Sequence, residues 1–274
     1  MSFLSKDPDE CHVFMASGTM TFPGVQVEAG VLPAKGLTLD IVNGMGSAIN
    51  VAQLNLLEKL ALPFLSSHSS LQQATTDKSR YHTRDDLLHA IWNTLVLSRQ
   101  RWATKATSAS RTLYHMFKSV AIPKEKWPLK NMWDWDKLDD VRSLYAKNAT
   151  LRFAGRSFSD WVHIAMEVYE PNFDASVDDI TKEIRGLPMQ ISSTLRNQRF
   201  LVTASGYIGY VPNETRRGDT IYILYGMDVP VVLRQNQDGT FELIGPCYVY
   251  GVMEGESMDD MQNGVFKERI FNIA

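Results

Sequence analysis

The sequence predicts an α+β protein: a helical body packed on a small antiparallel β-barrel formed by the C-terminal third, with extra N-terminal strands. Two observations carry this prediction. Between Arg199 and Glu256, short apolar or alternating runs recur every 8–12 residues, separated by residues that favour tight turns. Upstream, apolar residues recur with the period of a helix rather than a strand. Helices in the middle and strands at both ends imply one layer of each, folded as a single cooperative unit. The division falls between 1–198, the N-terminal strands and helical body, and 199–274, the β unit.

Near the N-terminus, strands are expected at His12–Ala16, Gln26–Glu28 and Leu37–Val42, parted by Pro23, Gly24, Pro33 and Gly36. Residues 47–65 read as a helix ended by Pro63, and Ser66–Ser79 as a polar loop. Thr83 is a natural N-cap for a helix from Arg84 to about Ala103, with Asp85 and Asp86 complementing its dipole. On a helical projection Leu88, Ile91, Trp92, Leu95 and Trp102 share one face, and Arg99 falls inside that apolar fan. Further helices are expected at Leu138–Lys147, at Ser157–Tyr169 with Phe158, Trp161, Val162, Ala165 and Tyr169 inward, and at Val177–Asn197, broken by Gly186 and Pro188. The β unit follows, with strands at Phe200–Thr203, Tyr207–Val211, Thr220–Tyr225, Val229–Arg234 and Thr240–Gly245. Gly218–Asp219 and Gly255–Glu256 read as turn formers, and the acidic group Glu254, Glu256, Asp259 and Asp260 as a solvated loop.

Composition narrows the chemistry. The chain has 274 residues, a formal net charge of −3 and 22% charged residues, so it lacks the basic face that nucleic acid requires. No apolar run is long enough to span a membrane, and MSFLSKDPDECH is no secretory signal, so a cytoplasmic location is expected. The two cysteines, Cys11 and Cys247, suit a reducing compartment, and a single disulfide between them stays open. None of the six histidines has metal-ligand spacing. There is no G-x-S-x-G elbow, and Gly44–Ser47 lacks the lysine of a phosphate loop, so neither metal nor other cofactor is expected.

What remains is a set of residues suited to an apolar ligand. An arginine among core side chains must be paired or face a polar cavity. Arg99 therefore donates into a pocket, snorkels at a helix end, or pairs with Asp134 or Asp136. Tyr207, Tyr210, Tyr222, Tyr225, Tyr248 and Tyr250 concentrate in the β unit, and each buried phenol wants a partner. With Arg99, Tyr207 and Tyr248 are the candidate catalytic donors. Trp92, Trp102, Arg199, Tyr225, Met227 and Met253 are the candidate substrate-binding wall of a cavity for an apolar polycyclic molecule. The tryptophan-dense Trp127–Trp135 is a lid, an interaction edge or a packed loop.

The order of residues in the β unit carries a resemblance. Arg199, Phe200, Thr203, Gly206, Gly209 and Pro212 come first; Gly218, Asp219, Ile221, Leu224 and Gly226 follow. The series continues through Pro230, Val232, Leu233, Arg234, Leu243, Ile244, Gly245, Tyr248, Val249, Gly251, Met253, Gly255 and Glu256. This series resembles the C-terminal region of fungal heterokaryon-incompatibility (HET) proteins, and weaker likeness extends upstream to residue 11. The signalling-domain motifs typical of that family are missing from the chain. The resemblance implies two functions. Small stand-alone proteins of this kind occur in fungal natural-product pathways. They imply a cofactor-free pericyclase of sordarin-type diterpenoid biosynthesis, catalysing an intramolecular, norbornene-forming Diels–Alder cycloaddition of a terpenoid substrate. Confinement and a hydrogen bond to a dienophile-conjugated carbonyl would supply the rate. The family name implies the alternative, a non-enzymatic recognition or signalling protein.

Overall fold

The computed structural model describes residues 14–22, 30–47, 77–97, 135–169, 191–192 and 197–274. The expected strand at Gln26–Glu28, the body of the helix at 47–65, Trp127–Asp134, Cys11 and most of Val177–Asn197 lie outside them.

The β region is one eight-stranded sheet, and its organising element comes from the N-terminal third. Strand β1 (Leu32–Met45) is longer than expected and is bordered on both sides. Its first half pairs with β10 (Glu268–Ile273), and its middle with β6 (Thr220–Leu224). Its last residues pair with β4 (Gln198–Thr203). Register shifts between Thr38 and Asp40 and between Val42 and Gly44 bend it, as extra residues in a ladder do. The bends let one strand serve two sets of neighbours. On one side run β6, β7 (Val231–Gln235), β8 (Phe241–Pro246) and β10, which returns to β1. On the other run β4, β5 (Ile208–Pro212) and the two-residue β9 (Tyr248–Val249). The pairing is antiparallel except for one parallel bridge, Ile273↔Phe241. The expected β unit is present, but its extent is corrected: the sheet is larger than residues 199–274, includes one parallel bridge, and takes its central strand from outside that range.

Alternation along the strands sorts the apolar residues into separate cores. Tyr222, Phe241 and Phe271 meet edge-on with ring centroids 4.6–5.7 Å apart, and Leu224, Val231 and Leu233 pack around them. Ile221, Ile223 and Val232, on the opposite face of the same strands, join Leu37, Leu39, Val42, Leu201, Val211 and Val249. The outer face of β4–β5–β9 carries the third core, with the helices on it.

Helix α1 (Arg84–Val96) starts as expected: Thr83 Oγ1 accepts from the Asp86 amide at 3.0 Å and Asp86 Oδ2 from the Thr83 amide at 3.0 Å, a reciprocal cap. It stops earlier, because Leu97 takes a left-handed conformation with φ 52° and caps it. From Leu87 to Leu97 all but His89 is buried, so the helix is enclosed rather than lying on the core by one stripe. Burial of Leu88, Ile91 and Leu95 stabilises the fold by roughly 1.5–3 kcal/mol each. Helix α2 (Trp135–Asn148) and helix α3 (Phe158–Tyr169) flank a two-residue hairpin, β2 (Arg152–Phe153) and β3 (Arg156–Ser157). Ala154 and Gly155 form its turn with positive φ, the geometry such hairpins need. Phe158, Trp161, Val162 and Ala165 are buried on α3 and His163 is exposed, as the periodicity predicts.

Three expectations are corrected. Residues 14–16 are not strand: Gly18 and Met20 amides bond back to Met15 and Ser17, forming turns. The acidic loop holds a short helix, α4 (Glu256–Gln262), which buries Ser257 and Met258. Asp219 is no mere turn former; it is buried and takes two hydrogen bonds from the Arg234 guanidinium.

Candidate functional site

The face of the sheet that meets α1 is built from register. Phe200 pairs with Tyr210, and Tyr210 with Tyr248, so three aromatic rings line up across β4, β5 and β9 on one face. Phe200 and Tyr210 meet edge-on at 5.8 Å, and Phe200 continues into Phe153 and Phe158 at 5.8 and 5.7 Å. Such contacts add roughly 0.5–1.5 kcal/mol each beyond their buried area. Helix α1 lies over this floor, with its Asn93 carbonyl 3.4 Å from the Tyr248 hydroxyl. Trp92, Tyr248 and Met253 all belong to this core. The Met253 sulfur accepts from the Val249 amide at 3.4 Å, closing the bend after β9.

The other candidates lie elsewhere. Tyr207 and Tyr225 sit in the core on the opposite face. The Tyr225 hydroxyl donates to Glu268 Oε2 at 3.1 Å, with Met261 Sδ at 3.2 Å. Burial, then the nearby Glu268 carboxylate, pushes its phenol up to about 12. Arg199 donates from Nε to the Gly46 carbonyl at 2.8 Å and fastens β4 to the end of β1; burial lowers its pKa. Met227 is exposed in the turn after β6. Arg99 and Trp102 lie outside the described residues. The structure therefore brings Trp92, Tyr248 and Met253 together and separates them from Tyr207, Tyr225, Arg199 and Met227.

A second cluster emerges where α1, α4 and the turns around β5 and β9 meet. The Tyr81 hydroxyl accepts from the Ile208 amide at 3.1 Å and donates to the Tyr250 carbonyl at 3.3 Å. It thereby bridges β5 to the chain just beyond β9. His89 Nδ1 lies 3.1 Å from the Tyr250 hydroxyl. Burial, then the Glu256 and Asp86 carboxylates, raises the Tyr250 phenol. Arg80 stacks 5.3 Å over the Tyr207 ring and pairs with Asp260 at 3.3 Å. This seam combines an imidazole, three phenols and a guanidinium at a partly exposed junction. His89 reads from sequence as a solvated residue, because nothing in its own helix announces a tyrosine 161 positions away. Among the described residues no group of three or more His, Cys, Asp or Glu side chains could hold a metal ion. Cys247 is a free, buried thiol, and burial pushes its pKa up.

Comparison with known proteins places this architecture. Residues 173–266 match the Het-6 beta-barrel domain, a segment running from before β4 to beyond α4. Heterokaryon incompatibility protein 6, OR allele, of Neurospora crassa is 32% identical over 75 residues. That alignment covers 26% of this chain and 11% of the relative, so the chain corresponds to a small part of that protein. No solved structure matches the chain. Among the described residues no helix is long and apolar enough to cross a membrane.

Proposed function

We propose, on the premise that the chain is related to fungal heterokaryon-incompatibility proteins through residues 173–266, that it is a recognition or signalling protein of that type, acting in the cytoplasm. The match to the Het-6 beta-barrel domain is the observation that carries this reading. The architecture suits it: the Tyr222–Phe241–Phe271 cluster makes a rigid unit on which loops can present a specific surface. The test is expression in paired strains of a filamentous fungus. Growth arrest or death of fused cells, dependent on the partner's genotype, is expected. Growth unaffected in every pairing would refute the reading.

A second reading is favoured by one specific observation. Trp92 Nε1 and the Tyr210 hydroxyl are buried donors without a hydrogen-bond partner among the described residues. They lie in the same core as Tyr248 and Met253. In a cofactor-free Diels–Alder cyclase, such donors would stabilise charge developing on a carbonyl conjugated with the dienophile. Confinement of the diene and dienophile would add ~7 kcal/mol or more. Arg99 is a further proposed donor, resting on its sequence alone. Incubation of the pure protein with a terpenoid carrying both groups tests this. Norbornene formation no faster than in buffer would remove it.

A further inference from the structure

The Tyr225 hydroxyl has one proton and two acceptors. It lies 3.1 Å from Glu268 Oε2 and 3.2 Å from Met261 Sδ, so the end of β6, the start of β10 and α4 meet at a single phenol oxygen. Tyr225 is held in place by β1: its amide donates to the Lys35 carbonyl at 2.8 Å, and the Lys35 ammonium sits 5.8 Å from the ring centroid. A thioether is a weak acceptor and a carboxylate a strong one, so the proton belongs mainly to Glu268. Burial, then Glu268, pushes the phenol up to about 12, so it stays a donor at ordinary pH. Met261 is half-buried near the end of α4 and packs with Phe266 on the core that holds Leu37, Ile223 and Val249. Met258, on the same short helix, is buried. Met253 also has a donor at its sulfur, the Val249 amide, but it is buried too. Met15 and Met227 are exposed, at 45% and 39%, and have no donor at sulfur among the described residues. Among the described residues, Met261 alone combines solvent access with a hydrogen-bond donor at its sulfur.

We propose that Met261 is an oxidation site for hydrogen peroxide, and that Tyr225 receives the resulting sulfoxide and makes the seam between α4 and β10 responsive to oxidant. A sulfur lone pair takes one peroxide oxygen: an S–O bond forms, the O–O bond breaks, and the second oxygen leaves as hydroxide. The hydroxide then removes the proton from the sulfur-bound oxygen and becomes water. Sulfur loses two electrons and the peroxide gains them. The product carries a polar oxygen on a side chain flexible enough to turn it toward Tyr225. At a half-buried position that oxygen is costly without a donor, and the phenol already within reach supplies one. Glu268 shares the proton at small cost, because it is 48% exposed and keeps Lys35 at 3.0 Å. A tie between β6 and β10 is thereby exchanged for one between β6 and α4. The site stands apart from both functional readings, since neither uses Met261 or Glu268.

The test uses the full chain and hydrogen peroxide, with peptide mass mapping of each methionine and thermal melting before and after treatment. Met261→Leu keeps the volume and cannot be oxidised at that position. Tyr225→Phe keeps the thioether and removes its donor. The expected map shows sulfoxide at Met261 in the folded natural chain, alongside Met15 and Met227. Treatment should lower the melting temperature of the natural chain more than that of Met261→Leu. In Tyr225→Phe the drop on treatment should be about twofold larger than in the natural chain, because the sulfoxide oxygen is left without its partner. A Met261 that stays unoxidised while Met15 and Met227 are converted overturns the proposal. So do equal drops in the natural chain and Met261→Leu. A drop in Tyr225→Phe no larger than that of the natural chain also overturns it, since Tyr225 then does not receive the sulfoxide.

Discussion

Asp219→Asn is the sharpest test of what holds the β unit together. Asp219 sits at the entrance to β6 with its side chain 5% exposed, and it receives Arg234 Nε at 2.9 Å and Nη2 at 2.8 Å. The Arg216 amide adds a third donor at 2.7 Å, and Arg234 also reaches the Glu214 carbonyl at 3.0 Å. The pair thus ties the turn before β6 to β7, with bidentate geometry. Breaking a buried pair by removing one charge costs about 3–5 kcal/mol. Arg234 keeps 21% exposure and asparagine can still accept one bond, so the cost here is about 2–3 kcal/mol. At about 2–4 °C per kcal/mol for a chain near this size, melting should drop by roughly 4–12 °C. Urea unfolding of Asp219→Asn, with Glu242→Gln as control, provides the assay. Glu242 is 54% exposed and 3.4 Å from Arg234, so its loss should change stability by less than ~1 kcal/mol. An Asp219→Asn protein within ~0.5 kcal/mol of the natural chain would show that the pair contributes nothing beyond a surface contact.

Three other outcomes are expected. Gly206 has φ +91° and a Cβ there would collide with the Lys78 carbonyl, so Gly206→Ala should destabilise by ~2 kcal/mol or more in urea unfolding. Tyr81→Phe leaves the Ile208 amide and the Tyr250 carbonyl without their bridge, a loss of roughly 1–3 kcal/mol visible as faster hydrogen exchange at Ile208. Hydrogen bonds from Lys35 and Tyr225 hold the Glu268 carboxyl below the usual glutamate range. Its folded pKa is depressed, so its contribution is present above the unfolded value near ~4.3 and is lost as pH falls through the folded value; Glu268→Gln should flatten that acid limb of the stability profile.

The fold was legible where local chemistry sets it. Turns containing Gly206, Gly218, Gly226 and Gly239 have the positive φ their glycines predict, and they bound β5, β6, β7 and β8 nearly where expected. Thr83 with Asp86 announced the start of α1. Its end was not legible, because Leu97 gives no sign of a left-handed cap. Nor was the role of β1. LTLDIV reads as one edge among several, and only the bulges at Asp40 and Gly44 turn it into the strand between β4, β6 and β10. The short β9 and hairpin β2–β3, two residues per strand, are below what periodicity can resolve.

The candidate site was harder, for a reason that period-two geometry makes plain. Six tyrosines in one small β unit look like the lining of one cavity, but strands send neighbours to opposite faces. Tyr210 and Tyr248 face α1, Tyr207 and Tyr225 the opposite core, and Tyr222 a third cluster with Phe241 and Phe271. Composition counts such residues together; register separates them. The pairs that matter are the cross-strand ones, Phe200↔Tyr210 and Tyr210↔Tyr248, which are fixed only when β4, β5 and β9 are aligned. Of the residues singled out from sequence, Trp92, Tyr248 and Met253 share the face where Tyr210 holds its unpaired hydroxyl. That face, rather than the count of aromatics, is the physical basis for asking what binds between the helix and the sheet.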